Sequence, residues 1–256
     1  MTRVGARVLV VQHEDQCPPA WVGDWLLAAG CVVDVRRPYA DQPLPIDLTD
    51  HDAMVVLGGP MGANDDQYAW IPETKRLVRE AAEDQVPTLG ICLGHQLCAV
   101  ALGGAVGRNP LGQQLGLVES GWLPAADADP LVGPMTEVRH GVQWNDDIVL
   151  RLPETATLLA ATPAGEPQVV RFAPTVWGVQ LHPEADDRVI APWAEADRPR
   201  YDDDRVDLAL QAVAAARDEL ERDWRPLAES LAEMAGHRPH SGRHGHDRGW
   251  QVHTSG

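Results

Sequence analysis

A cysteine set between glycines, where an apolar run gives way to a helical pattern, constrains this 256-residue chain more than any other feature. The stretch is Gly90-Ile91-Cys92-Leu93-Gly94-His95-Gln96. Pro87 to Ile91 reads as a short strand, and Leu97, Cys98, Val100, Ala101 and Leu102 follow at the spacing of a buried helix. A strand that passes so directly into a helix needs a tight turn. Glycines on both sides let the backbone take strained dihedrals there, which holds the cysteine above the sheet edge in the manner of a nucleophile elbow. The start of a helix also presents the positive end of its dipole, which favours the thiolate of a thiol placed there.

The same strand-to-helix transition recurs. Strand-like segments at 6–11, 31–36, 53–57 and 87–91 alternate with helical patterns near 19–29, 71–85 and 94–103. This predicts an α/β fold: a mostly parallel central sheet with helices on both faces, a flavodoxin-like three-layer sandwich. Ligands in such folds sit beyond the carboxyl ends of the strands, where Cys92 and Gly58-Gly59 both fall. From 105 to 181, short apolar runs separated by Pro, Gly and Asp turns predict an antiparallel extension that returns to the sheet at 176–181. Residues 1–193 are read as one domain and 194–236 as a C-terminal helical extension. In that extension one helix starts at Asp202–Asp204 and runs through Leu220, and another follows Pro226, both packing on the core. Residues 237–256, polar and rich in Gly, Arg and His, read as a disordered tail.

A cysteine nucleophile needs a base. Thr175 to Leu181 is a strand-like run leading into His182-Pro183-Glu184, and residues two apart on an extended chain point to the same side, so Glu184 lies beside His182. Pro183 stiffens that geometry. A thiol, an imidazole and a carboxylate that fixes the imidazole's tautomer form a nucleophilic triad. An α/β-hydrolase would place the acid well before the histidine, not two residues after it. Ala53 to Leu57 reads as a buried strand ending in Gly58-Gly59-Pro60-Met61-Gly62. Backbone N–H groups of that glycine turn, with the N–H of Leu93, suit an oxyanion hole.

On these residues the chain resembles the class I glutamine amidotransferases, which use a Cys-His-Glu triad. The matching stretches are LGGPMG at 57–62, GICLGHQL at 90–97 and GVQLHPEA at 178–185, and the resemblance runs from about Arg7 to about Trp193. It looks closest to stand-alone domains similar to the amidotransferase half of GMP synthetase. The resemblance implies Cys92 as nucleophile, His182 as general base and then acid, and Glu184 as the orienting carboxylate. It places Gly59 and Leu93 as oxyanion donors and Gln96 at the glutamine substrate, with Gly58, Trp144 and Asn145 taken as further substrate-binding positions. The implied chemistry is hydrolysis of a γ-glutamyl amide through a Cys92 thioester, with no metal or organic cofactor. Where many relatives carry His-Gly-Asp, the segment Gln143 to Asp147 reads QWNDD; Gln114 replaces a common acidic residue, and Leu181 a common phenylalanine.

A formal net charge of −17 argues against a nucleic-acid or anionic-membrane partner. Residues 1–11 lack the apolar core of a signal peptide, no run approaches membrane-spanning length, and Cys17, Cys31, Cys92 and Cys98 show no disulfide or zinc spacing. A reducing cytoplasmic setting is the expectation. Apart from Cys92, the cysteines read as core hydrophobes. His13, His51, His95 and His140 read as surface or structural, and Asp65-Asp66 and Asp186-Asp187 as solvated loop charges. With no phosphate-binding glycine loop in the chain, the leading expectation is a glutaminase-type subunit serving a separate ammonia-accepting synthetase. The alternatives are a stand-alone γ-glutamyl hydrolase or peptidase and, in another class, an inactive binding or regulatory module.

Overall fold

The computed structural model describes residues 5–200 and 203–238. Its strands are β1 (Arg7–Val11), β2 (Val32–Arg36), β3 (Ala53–Val56), β4 (Thr88–Ile91), β5 (Ala105–Arg108), β6 (Gln114–Glu119), β7 (His140–Asn145), β8 (Asp147–Arg151), β9 (Thr157–Ala161), β10 (Pro167–Ala173) and β11 (Val176–Val179). The α-helices are α1 (Ala20–Ala28), α2 (Trp70–Glu83), α3 (Leu93–Ala101), α4 (Asp187–Asp197), α5 (Asp203–Ala215) and α6 (Arg217–His237).

A seven-stranded sheet is ordered β2-β1-β3-β4-β11-β10-β9. The five strands from β2 to β11 pair in parallel, and β10 and β9 complete the far edge antiparallel. The inner parallel strands β3, β4 and β11 are buried at every residue, which is why they read as unbroken apolar runs rather than alternating ones. Alternate side chains still divide between two cores. Val8 and Val10 join Val22 and Trp25 of α1 and Trp224, Leu227 and Leu231 of α6 on one face. Leu9 and Val11 join Ile71, Leu77 and Val78 of α2 and Leu93 and Leu97 of α3 on the other. The result is the flavodoxin-like three-layer arrangement, with β5–β8 and β6–β7 as separate antiparallel pairs beside the sheet.

The C-terminal helices follow a different plan from the sequence expectation, although they do pack on the core. A helix, α4, begins at Asp187, where the sequence reads as charged loop. Asp186 caps it, accepting from the N–H groups of Arg188 at 2.9 Å and Val189 at 3.0 Å. The single helix expected through Leu220 breaks at Ala216, beside Arg217, which pairs with both Asp186 and Asp187 of α4. Pro226 lies inside α6 rather than before a helix, as Pro192 lies inside α4. Each proline follows an exposed arginine by four residues, Arg222 and Arg188, so the carbonyl it leaves without a partner is on the solvent side. The tail reading of 237–256 lies, from 239 onward, outside the described residues. Among the described residues no helix is long and apolar enough to cross a membrane.

Candidate active site

The carboxyl ends of β1, β3, β4 and β11 deliver the residues of one cavity of about 330 Å³. Cys92 links β4 to α3 with φ 50° and ψ −105°, so the turn's strain is carried by the cysteine itself. This corrects the expectation that the flanking glycines take the strained dihedrals. Their role is close approach. A Cβ on Gly90 would lie 2.4 Å from the Gly94 carbonyl oxygen, and one on Gly94 would lie 2.0 Å from the Val56 oxygen of β3. Glycine at both positions lets α3 sit directly on the strands.

His182 follows β11 by three residues and is fixed by its N–H to the Val142 carbonyl, 2.7 Å. Its Nδ1 lies 2.8 Å from Glu184 Oε1, and both side chains are buried. Nε2 has no hydrogen-bond partner among the described residues, and Cys92 is one of the groups acting on the ring. Burial opposes a charge on the imidazole, but the Glu184 carboxylate and Cys92 outweigh it and push its pKa up to about 10. Both partners thus favour the protonated form of the imidazole. The indole of Trp193 on α4 packs on the imidazole with ring centres 4.8 Å apart, and its Nε1 is anchored to the Gln16 carbonyl at 2.8 Å.

Gly58 lies against the pair: a Cβ there would come 3.2 Å from His182 Cε1 and 3.6 Å from Cys92 Cβ. Gly59 borders the cavity and packs on His13, Leu93 and Met61. The N–H groups of Gly59 and Leu93 make no hydrogen bond among the described residues. Gln96, Trp144 and Asn145 line the cavity too. The Gln96 amide nitrogen is already occupied, donating to the Asp147 carbonyl at 2.8 Å and to Gln180 Oε1 at 3.2 Å, which ties α3 to β8 and to the end of β11.

Several cavity residues escape the sequence reading. Cys17, read as a plain core thiol, lines the cavity; burial and then the charges of Cys92 and Glu184 push its thiol well above the usual range. Trp193, Asp197 and Arg200 reach the cavity from α4 and the turn after it. The Asp186 cap was the one sequence signal for that helix. Asp186 and Asp187 are thus structural rather than solvated, as is Asp65, which accepts from the Gly62 N–H at 2.8 Å, whereas Asp66 is an exposed loop charge, as expected, that also pairs with Lys75 at 2.5 Å. Of the histidines, His13 and His95 are fully buried, with pKa values that burial lowers to about 4, while His51 meets Asp34 and His140 meets Glu219. Among the described residues no three His, Cys, Asp or Glu side chains are grouped to hold a metal ion.

The profile of the glutamine amidotransferase class-I family matches residues 21–191. A glutamine amidotransferase-like protein of Salmonella typhimurium, YfeJ, is 29% identical over 182 residues, covering 70% of this chain and 75% of that protein. A glutamine-hydrolyzing GMP synthase subunit of Saccharolobus solfataricus is 30% identical, covering 60% of this chain and 77% of that one. Gamma-glutamyl peptidase 3 of Arabidopsis thaliana is also 30% identical, over 56% of this chain, and the chain spans 59% of that protein's length. The crystal structure of a glutamine amidotransferase from Thermotoga maritima superposes with a TM-score of 0.78 at 25% identity, covering 90% of this chain and all of that one. With the profile spanning well over half of its residues, the chain belongs to the class I glutamine amidotransferase family.

Proposed function

We propose that the protein hydrolyses the γ-glutamyl amide of glutamine through a Cys92 thioester and releases ammonia to a separate acceptor enzyme. The observation that carries this reading is the buried Cys92–His182–Glu184 arrangement at the mouth of a cavity, with two unbonded N–H groups beside the sulfur's turn. With its second proton already in place, His182 faces Cys92 as a cation, and Cys92 attacks the amide carbon as a thiolate. The carbonyl oxygen becomes an oxyanion, held by the Gly59 and Leu93 N–H groups. His182 donates its proton to the departing nitrogen, so ammonia leaves and the thioester remains. The imidazole, now neutral, takes a proton from water; the hydroxide attacks the thioester, and glutamate departs as the ion pair re-forms. Glu184 holds Nδ1 throughout and stabilises the cation.

The reading as one partner of a two-chain system draws support from the relative in Saccharolobus solfataricus, a glutamine-hydrolyzing GMP synthase subunit. A self-sufficient γ-glutamyl hydrolase is the second reading, favoured by the likeness to a gamma-glutamyl peptidase. The test is glutamate release by the purified protein from glutamine and from a panel of γ-glutamyl amides, with Cys92→Ala as control. Slow, Cys92-dependent turnover preferring glutamine supports the amidotransferase reading. Faster turnover of a larger γ-glutamyl amide selects the hydrolase, and turnover independent of Cys92 overturns both.

A further inference from the structure

The chain that leaves His182 turns back on it within two helical turns. α4 starts at Asp187, and its second turn sets the indole of Trp193 against the imidazole, with ring centres 4.8 Å apart and planes inclined by 52°. That spacing lies in the range of about 4.5–7 Å that favours a tilted aromatic pair, and inside the limit of about 6 Å at which an aromatic ring attracts a cation. The indole is tethered at its far end. Its Nε1 donates to the Gln16 carbonyl at 2.8 Å, and Gln16, in the loop between β1 and α1, lines the same cavity. Val189, one turn before it, and Trp193 itself pack on the core beside the buried Ile190 and Ala194.

α4 is pinned along its length by the rest of the C-terminal extension. At its start Asp187 accepts from Arg217 Nε of α6 at 2.8 Å. At its end Asp197 accepts from Trp144 Nε1 of β7 at 2.9 Å and Gln113 Nε2 at 3.0 Å, and Arg198 donates to Asp207 of α5 at 2.7 Å. The indole is thus a fixed wall. An imidazole that moves protons must keep its ring orientation, and one hydrogen bond from Nδ1 to Glu184 leaves the ring able to rock about it. Gly58 closes on the Cε1 edge, where a Cβ would come within 3.2 Å, and Trp193 closes on a face. The titratable groups acting on the ring are Glu184 from its own segment and Cys92 from the turn into α3, while Cys17 lines the cavity from the loop after β1 and Asp197 of α4 is engaged with Trp144, Gln113 and Arg200. From α4 the ring receives an aromatic neighbour, which favours an imidazolium over a neutral imidazole. We propose that Trp193 is a positioning residue for His182, its indole fixing the imidazole ring and stabilising the cation, and that the α4–α6 extension serves to hold that indole in place. This rests on the γ-glutamyl hydrolysis reading.

The test compares the full-length Trp193→Leu and Trp193→Phe proteins with the parent in steady-state glutamate release from glutamine, in an NMR titration of the His182 ring, and in melting temperature. In Trp193→Leu, kcat should fall about tenfold with KM within about twofold, and the ring should titrate about one pH unit lower. Trp193→Phe keeps an aromatic ring without the tether to Gln16 and should retain kcat within about threefold. Arg217→Gln lies outside the cavity and loosens α4 from α6; it should lower kcat severalfold at unchanged KM, and it stands in if the change at 193 costs the fold. An unaltered kcat in Trp193→Leu, a rise in KM alone, a ring titration that does not move, or a phenylalanine that rescues nothing would overturn the proposal. Failure of the hydrolysis reading looks different: the parent releases no glutamate, while the His182 titration still moves in Trp193→Leu.

Discussion

Glu184→Gln isolates what the carboxylate does to His182. Glutamine keeps the volume and one acceptor oxygen for Nδ1, so the 2.8 Å hydrogen bond survives in kind and only the charge is lost. Two unit charges about 4 Å apart at an effective dielectric of about 20 attract by about 4 kcal/mol. At about 1.36 kcal/mol per pH unit that is about 3 units, so the imidazole should fall from about 10 to about 7. The raised value stabilises the native protein fully below the unfolded histidine value of about 6.5, and that contribution is lost as pH rises through about 10. The variant should therefore be less stable than the parent at pH 7, with the gap closing by about pH 10. The same proton is the one given to the leaving ammonia, so the alkaline limb of glutamate release moves from near pH 10 to near pH 7, and turnover at pH 8 drops by about tenfold. The assay is a pH profile of glutamate release from pH 6 to 10.5, paired with a ring titration by NMR. An alkaline limb that stays in place in Glu184→Gln would refute the assignment of the raised value to the carboxylate.

Three other changes have defined outcomes. Gly58→Ala puts a methyl 3.2 Å from His182 Cε1 and 3.6 Å from Cys92 Cβ, so turnover should fall at least about tenfold while the melting temperature stays within a few degrees; unaltered kinetics would show that the pair has slack. Gly94→Ala forces a Cβ to 2.0 Å from the Val56 oxygen, a backbone clash expected to cost more than about 4 kcal/mol and to yield insoluble or unfolded protein on expression, which circular dichroism of any soluble fraction checks. Asp129→Ala removes a buried carboxylate that accepts from Leu131 and Val132 N–H and from Trp177 Nε1, and that pairs with Arg171 at 3.2 Å. About 3–5 kcal/mol should be lost in urea denaturation, and a loss below about 1 kcal/mol would contradict that account.

The parallel half of the fold was legible because β3, β4 and β11 are apolar throughout and α2 has one polar face. Such patterns depend only on burial against the sheet. The residues that meet at Cys92 were legible because each sits immediately beyond a strand, where the fold leaves its loops. The α4 wall was not. Asp186 looks like loop charge until its oxygen is seen on the Arg188 and Val189 N–H groups, and Pro192 argues against a helix when the exposure of Arg188 is unknown. Asp197 carries no local signal of its place in the cavity: apart from Arg200, three residues on, its partners Gln113 and Trp144 are more than 50 residues away in sequence. Cys17 is buried, as expected, but its place on the cavity wall was not legible, since a buried thiol at a core edge and one at a cavity edge have the same composition around them.

Covalent capture on the thiol tests the central claim most directly. Purified protein is mixed with excess glutamine, quenched in acid within the first turnovers, and the peptide containing residues 90–97 is weighed by mass spectrometry, with Cys92→Ala and Glu184→Gln alongside. The account predicts one γ-glutamyl group on Cys92 in the parent, none in Cys92→Ala, and slower appearance in Glu184→Gln. Glutamate release without any adduct on Cys92, or an adduct that forms equally in Cys92→Ala, would contradict it.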